Sequence, residues 1–423
     1  MVSALKQRGA TLVALAVGAA PGFLLPVVLA VTMPLSASAS FLLVFSLSQI
    51  VTGMIGAPYE TTLLVRLGTL ADVTKDSPRP RLWRLSLHAV TRLGLPSLAS
   101  LAGFVAASVV LSPDLDPILL WVLAIPLAFS PIIRLITSAL TAHLYVRGRL
   151  ATVYFSTVFL GGPSILAALV MQDAVAVAIS FAFGEFLRWS FLAWRVHVTS
   201  VEVSREPVAP PTWRELAPQA TASLAGQGMP LLVQAVLTAV GAQAVTSGAI
   251  AIRIWGAFFQ VGTSTIAMPE TVRLVREYSS IPIARRAHVL GRRVMLLLAA
   301  SSALSLVGVC CFLSMLGFVR DNSAPAMTEG LLWSVVLLIG LPFAMLHFWA
   351  GRGLIAVGAS RWMLIAVLIG LVAGAITIAA LVPWIGGIGT MIGQTVSFIA
   401  MATSTTLAFL QTATREGHSD ASE

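Results

Sequence analysis

The chain has 423 residues, of which 57% are hydrophobic and only 10% are charged, and its mean hydropathy is +0.92. A soluble protein of this length would carry roughly a quarter charged residues, so the composition excludes a soluble globular domain. The net charge of +9 comes with no soluble basic domain, so it does not indicate nucleic-acid binding.

Apolar runs long enough to cross a bilayer, about 20 residues each, follow one another along the chain with short polar connections. They predict an all-α polytopic membrane protein with about 12 transmembrane helices. The predicted spans, numbered one to twelve, are 9–32, 41–65, 93–111, 117–145, 150–171, 174–197, 218–240, 244–269, 294–318, 330–350, 362–382 and 386–411.

Charge placement predicts the orientation of these spans. With the N-terminus inside, nearly all basic residues fall on cytoplasmic segments, while Asp114, Asp116 and Asp173 fall on outer loops. The basic residues that lie elsewhere are Arg134, Arg188, Arg253 and Arg320. An even number of spans then returns the C-terminus to the cytoplasm. The two cysteines, Cys310 and Cys311, are adjacent and predict neither a disulfide framework nor a metal site.

A short phrase occurs twice, 210 residues apart. It reads "ETTLLVR" at Glu60–Arg66 and "ETVRLVR" at Glu270–Arg276, and five of the seven letters match. The two copies lie near the cytoplasmic ends of spans two and eight, which run in the same direction. They predict a parallel duplication of two pseudo-symmetric six-helix lobes. Parallel repeats of this kind are common among transporters.

The duplication divides the chain into four parts. We expect an N-terminal lobe at 1–197, a proline-rich cytoplasmic linker at 198–217, a C-terminal lobe at 218–412 and a polar tail at 413–423.

The repeated phrase and the prolines are candidates for gating. Glu60, Arg66, Glu270 and Arg276 are interpreted as residues that pin the cytoplasmic helix ends, with a direct transport role as the alternative. Spans one and seven are both interrupted by glycine and proline. Pro21, Pro26 and Pro230 are therefore predicted to mark bending helices.

Few ionisable residues lie within the spans, and by default each indicates a functional site because charge at bilayer depth is costly. Arg253 lies about 14 Å into span eight, at 1.5 Å per residue. The complete set is Arg134, Glu185, Arg188, Arg253 and His347, all predicted as substrate-binding.

Each of these residues has an alternative role. Glu185 and Arg188 are spaced i, i+3, so they can form either a structural ion pair or a cavity pair. Arg134 and Arg253 suit a pyrophosphate group, because guanidinium binds two oxygens at once, or they can pair with other helices. His347 can be a packing residue or a proton relay.

Four features of the sequence carry a family resemblance. They are the two lobes, the central linker, the interrupted spans one and seven, and the turns "RGR" and "GASR" after spans four and ten. The chain resembles the multidrug/oligosaccharidyl-lipid/polysaccharide exporter superfamily, within it the polysaccharide-biosynthesis flippases of the bacterial inner membrane. The resemblance implies alternating access around a central cavity. The implied cargo is a polyprenyl-diphosphate-linked oligosaccharide for cell-surface polysaccharide, and both termini would be cytoplasmic.

The resemblance implies membrane lipid and a polysaccharide polymerase or glycosyltransferase as partners. It implies no cofactor beyond a coupling ion, H⁺ or Na⁺. One alternative is a cation-coupled multidrug exporter of the same superfamily, although span one lacks an ionisable residue between Arg8 and Thr32. The other is a membrane glycosyltransferase or polymerase. No nucleophile constellation, phosphate loop or ATP-binding motif occurs in the chain, so we expect no enzyme.

Overall fold

The structure of the protein is a computed structural model. It describes residues 2–60, 62–64, 67, 82–112, 114–147, 149–199, 210–267, 270, 271, 281, 283–319, 325–356, 359 and 361–415. Every regular element in these ranges is helical. The α-helices are Val2–Thr32, Leu35–Val51, Leu82–Leu111, Pro117–Leu127, Phe129–Val146, Leu150–Ser156, Val158–Met171, Ala174–Thr199, Trp213–Val240, Ala242–Gly262, Ile283–Val319, Pro325–Ile339, Leu341–Ala356, Arg361–Ile385 and Ile388–Arg415, and the π-helical segments are Thr52–Gly56 and Thr263–Ala267.

The described residues contain 11 helical stretches that are long and apolar enough to cross a membrane. A twelfth is made by Pro325–Ile339 and Leu341–Leu354, two helices that meet at a bend of 45°. The all-α fold class and the predicted number of spans are therefore confirmed.

Two spans begin earlier than their apolar runs predict. Helix Leu82–Leu111 starts well before residue 93, and helix Ile283–Val319 well before residue 294. In the first, Leu82, Leu85 and Ala89 are buried at helical spacing although the same turns carry exposed arginines. A search for apolar runs does not detect such an amphipathic helix end, because its arginines lower the mean hydropathy of the segment.

Proline-freed carbonyls within the spans are capped by serines from neighbouring helices. Pro131 cannot donate to the carbonyl of Leu127, and Ser48 Oγ donates to that carbonyl instead, at 3.0 Å. This arrangement lies beside the break at Ala128 in span four. A membrane interior offers no water for such a carbonyl, so a neighbouring hydroxyl is the available donor.

The bent span ten repeats this arrangement. Pro342 cannot donate to the carbonyl of Leu338, and Ser305 Oγ donates to it at 2.5 Å. Both serine contacts are buried. In both span four and span ten, a serine of another span therefore donates to the carbonyl that a proline leaves without its helical donor.

The chain forms two compact units, Met1–Ala249 and Ile250–Glu423. The boundary falls inside helix Ala242–Gly262, later than the predicted linker, of which 200–209 lies outside the described residues. Helix Trp213–Val240 packs in the first unit against the π segment Thr52–Gly56 and helix Leu82–Leu111. The division into two six-helix lobes stays a prediction.

Glycines bring spans one and five of the first unit close together. A Cβ at Gly18 would meet the carbonyl oxygen of Tyr154 and the hydroxyl of Thr157, and one at Gly161 would meet Pro21 at 2.6 Å. Small residues allow such approach between membrane helices.

Helix Val2–Thr32 runs through Pro21 and Pro26 without interruption, and Trp213–Val240 runs through Pro230.

The second unit is built around helix Ile388–Arg415. It packs along Arg361–Ile385 and Leu341–Ala356. Gly370 again permits the approach, because a Cβ there would meet the side chain of Met401.

Candidate functional site

The first unit holds a buried acid and a buried base one helical turn apart. Helix Ala174–Thr199 places Glu185 and Arg188 at 0% and 2% exposure. Arg188 Nη1 lies 4.0 Å from Glu185 Oε2, at the outer limit of an ion pair. The i, i+3 spacing therefore brings the two charges to one face of the helix, as the sequence predicts.

Two serines from other spans hold this pair. Ser130 Oγ donates to Glu185 Oε1 at 2.9 Å, and Arg188 Nε donates to Ser156 Oγ at 3.2 Å. Ser130 belongs to span four and Ser156 to span five. Three spans of the first unit thus meet at one polar cluster.

The two facing atoms of this pair have unused hydrogen-bonding capacity. Among the described residues, neither Glu185 Oε2 nor Arg188 Nη1 has a hydrogen-bond partner. A buried polar atom left without a partner costs about 1–3 kcal/mol, and more when charged. The cluster therefore keeps the capacity to bind an additional group, either an anionic oxygen at Arg188 or a proton at Glu185.

Arg134 lies beside this pair. It sits one turn along span four from Ser130, so both side chains occupy the same helix face. Its guanidinium makes no hydrogen bond or ion pair with the described residues, although it interacts electrostatically with Arg188 and with Glu60. Arg134 therefore adds a second guanidinium with unused donors.

Glu60 and Tyr145 complete the cluster. Glu60 lies within electrostatic range of Arg134 and Arg188, and Tyr145 within range of Glu60 and both arginines. Glu60, interpreted as a helix-end residue, is thus near the charges predicted to bind substrate. We name the group Glu60, Arg134, Tyr145, Glu185 and Arg188 the charged cluster of the first unit.

The remaining predicted residues lie elsewhere. Glu270 belongs to the second unit, where Arg293 Nε lies 3.4 Å from its Oε1. Arg253 lies in helix Ala242–Gly262 and is not free of partners. Arg66 and Arg276 lie outside the described residues.

His347 makes a defined contact in the second unit. Its Nδ1 lies 2.8 Å from Thr405 Oγ1, and the same hydroxyl donates to the carbonyl of Met401 at 2.6 Å. Because the hydroxyl has one proton, Nδ1 carries the hydrogen and donates it to Thr405. A hydrogen bond to a neighbouring span is the contact expected of a packing residue, and the choice between packing and proton relay stays a prediction.

Aromatic rings fill the space near this histidine's helix. Trp255 stacks on Phe259 and on Phe398, with ring centroids 5.0 and 4.8 Å apart. Phe259 meets the edge of Phe348, and Arg352 lies over the Phe348 ring at 5.3 Å. We name Trp255, Phe259, Phe348 and Phe398 the aromatic cluster of the second unit.

Sequence reasoning did not find Ser130, Ser156, Tyr145 or Arg293. Isolated serines are frequent in apolar spans, so Ser130 and Ser156 carry no signal before the spans are packed. Arg293 was assigned to a cytoplasmic segment because the predicted ninth span began after it.

No protein-family model matches the chain, and no curated protein is detectably similar to it in sequence. Solved structures do match. A eukaryotic MATE transporter has a TM-score of 0.69 at 14% identity, over 98% of this chain and 99% of its own. The lipid II flippase MurJ, in an inward closed conformation, has a TM-score of 0.67 at 12% identity, over 95% of this chain and 89% of its own.

A third similar structure is a MOP superfamily transporter from Pyrococcus furiosus, with a TM-score of 0.61 at 15% identity over 96% of this chain and 95% of its own. Its description attributes a different function to a binding pocket of reversed polarity. The chain therefore has the fold of MATE transporters and MurJ, which is the fold that the sequence resemblance implies.

Proposed function

We propose that the protein is a membrane transporter that moves the anionic headgroup of a lipid-linked oligosaccharide across the bacterial inner membrane by alternating access. The observation that carries this proposal is the charged cluster of the first unit, in which Arg134 and Arg188 keep guanidinium donors that no described residue uses. Planar guanidinium groups bind phosphate oxygens in pairs, and burial strengthens such contacts.

The fold supports the proposal at a coarser level. The matched structures are described as transporters and a flippase, and MurJ is described as a flippase of lipid II. A flippase of this kind needs a polar route for the headgroup while the lipid tail stays in the bilayer. The proposed topology keeps both termini in the cytoplasm, and the proposed partners are membrane lipid and the enzymes that make and polymerise the glycan.

A second candidate is a cation-coupled multidrug exporter. The observation that favours it is Glu185, a fully buried acid with one oxygen that has no hydrogen-bond partner among the described residues. Such an oxygen can hold a proton and release it when a cation binds. The MATE structures that share the fold include proteins described as multidrug resistance transporters.

Gene deletion in the native host separates the two candidates. The proposal predicts build-up of one polyprenyl-diphosphate-linked oligosaccharide inside the cell and loss of its polymer outside. The wild-type gene and Arg361→Ala should restore the polymer, because Arg361 is exposed and lies over the ring of its neighbour Trp362, outside the charged cluster. Arg134→Ala, at equal abundance in the membrane, should not.

Two results would contradict the proposal. Unchanged glycans with new sensitivity to cationic drugs would favour the exporter, and Glu185→Gln would then be the variant to test. Full rescue by Arg134→Ala would remove the role of the charged cluster in phosphate binding.

A further inference from the structure

Span two contains a third proline-freed carbonyl. In the π segment Thr52–Gly56, the N–H of Ala57 donates to the carbonyl of Thr52, five residues earlier. The next carbonyl in this register, that of Gly53, would require an N–H from residue 58. That residue is Pro58, which has none.

Helix Trp213–Val240 supplies the missing donor. Ser223 Oγ donates to the Gly53 carbonyl at 2.5 Å. Glycine at position 53 lets Gln227 come close to the π segment, because a Cβ there would lie 2.7 Å from Gln227 Nε2. Ser223 and Gln227 lie four residues apart, so both reach the π segment from one helix face.

This contact differs from the two other serine caps in its surroundings. The caps by Ser48 and Ser305 are buried within packed spans, whereas the cap by Ser223 is only partly buried. Leu224 and Gly226, the neighbours of Ser223 and Gln227, are exposed. Around Ser223, separation of this helix from span two would uncover the Ser223 hydroxyl and the Gly53 carbonyl, and water can take over their hydrogen bonds.

The second half of the chain has a proline at the same distance from its π segment. The π segment Thr263–Ala267 is followed two residues later by Pro269, as Thr52–Gly56 is followed by Pro58. Thr263, Ser264 and Thr265 all donate to carbonyls of their own helix. Within the part of the chain that the structure describes, a side chain of another span donates to a carbonyl of the first π segment and none donates to a carbonyl of the second.

We infer that Ser223 and Gln227 form a latch that holds helix Trp213–Val240 on the proline-made π segment of span two, and that this latch opens and closes during the conformational cycle. The π segment provides the exposed carbonyl, and Gly53 provides the close approach. When the helix leaves, water must reach the carbonyl, so opening is tied to hydration of this part of the protein.

Backbone hydrogen exchange of the full-length protein in lipid nanodiscs tests the latch without any knowledge of the cargo. Ser223→Ala should speed exchange in peptides covering 48–57 and 216–228 by about fivefold, the order expected for one hydrogen bond. Ser223→Thr keeps the donor and should match wild type. Gly226→Ala is the matched control, because a Cβ there meets nothing within 4 Å.

Two double variants make the test specific. Ser223→Ala with Pro58→Ala restores an N–H to span two, so exchange in 48–57 should return to the wild-type rate while 216–228 stays fast. Gly53→Ala should speed exchange in both peptides, and Gln227→Ala should reverse this by removing the clash. Equal exchange in Ser223→Ala and Ser223→Thr, or no recovery of 48–57 with Pro58→Ala, would overturn the latch.

Opening during the cycle is tested by a disulfide between cysteines introduced by Gly53→Cys and Ser223→Cys, in a Gln227→Ala background that removes the clash at position 53. The exposed native Cys310 and Cys311 are first replaced by serine. Oxidation should stop restoration of the polymer in the deletion strain, and a reductant should recover it. The disulfide experiment rests on the proposed function, whereas the hydrogen-exchange experiment does not. Failure of the latch and failure of the proposed function can therefore be told apart. A fully oxidised variant with normal polymer would show that the latch does not open.

Discussion

Spans six and twelve correspond in the predicted duplication, but they carry different chemistry into their units. Span six presents Glu185 and Arg188, an ion pair held by serines from two other spans. Span twelve presents Phe398, stacked on Trp255, and Thr405, which accepts from His347. Span six thus contributes an ion pair to the charged cluster of the first unit, whereas span twelve contributes an aromatic ring and a hydroxyl to the second unit.

The two clusters therefore suit different roles. Charge buried at bilayer depth costs several kcal/mol unless it is used, so the charges retained on span six point to ligand binding by the charged cluster of the first unit. Stacked aromatic rings and a hydroxyl-bonded histidine pack against one another and contribute to the stability of the second unit. Substitutions in the two clusters should therefore affect different properties.

The largest effect is expected at Arg188. Arg188→Ala leaves Glu185 buried without its partner and should lower stability by about 3–5 kcal/mol. The double variant Glu185→Gln/Arg188→Met removes both charges at similar side-chain volume. Its free energy of unfolding should lie within about 1 kcal/mol of the wild-type value. Thermal unfolding in detergent measures both. If the double variant were as unstable as the single one, the pair would be an essential part of the fold.

A slightly smaller loss is expected in the aromatic cluster. Trp255→Ala removes two ring stacks and should cost about 3 kcal/mol, while Trp255→Phe should retain most of the packing. Neither change should alter the binding of an anionic lipid. Weaker lipid binding by Trp255→Phe at wild-type stability would contradict the different roles assigned to the charged cluster and the aromatic cluster.

The smallest effect is expected at the repeated acid of the second unit. The Glu270–Arg293 pair is partly exposed, so Glu270→Gln should cost about 1 kcal/mol or less. The losses from Glu270→Gln and Arg293→Met should be less than additive in the double variant, because the two changes share one interaction. Fully additive losses, measured by thermal unfolding, would show that the two residues act independently.

The sequence predicts the membrane class, the number of spans and the spacing of Glu185 and Arg188, because each rests on local composition or helical periodicity. It does not predict that Glu60 lies near Arg134 and Arg188, since that follows only from the packing of spans two, four and six. The early starts of the third and ninth spans are hidden by arginines on amphipathic turns.

The freed carbonyl of span two could have been found from the sequence. Pro58 and Pro269 follow the two π segments at the same distance, and a proline inside an apolar span frees a carbonyl that some donor must satisfy. The identity of that donor was beyond sequence reasoning. Ser48, Ser305 and Ser223 are distant in sequence from the carbonyls of Leu127, Leu338 and Gly53 that they cap.

The central claim, that the charged cluster of the first unit binds a diphosphate, is tested most directly by lipid-dependent stabilisation of the purified protein. A polyprenyl diphosphate should raise the unfolding temperature in a concentration-dependent way, and the matching polyprenol should not. Arg134→Ala and the Glu185→Gln/Arg188→Met variant should lose this response. Equal stabilisation by the uncharged polyprenol, or an unchanged response in both variants, would contradict the claim.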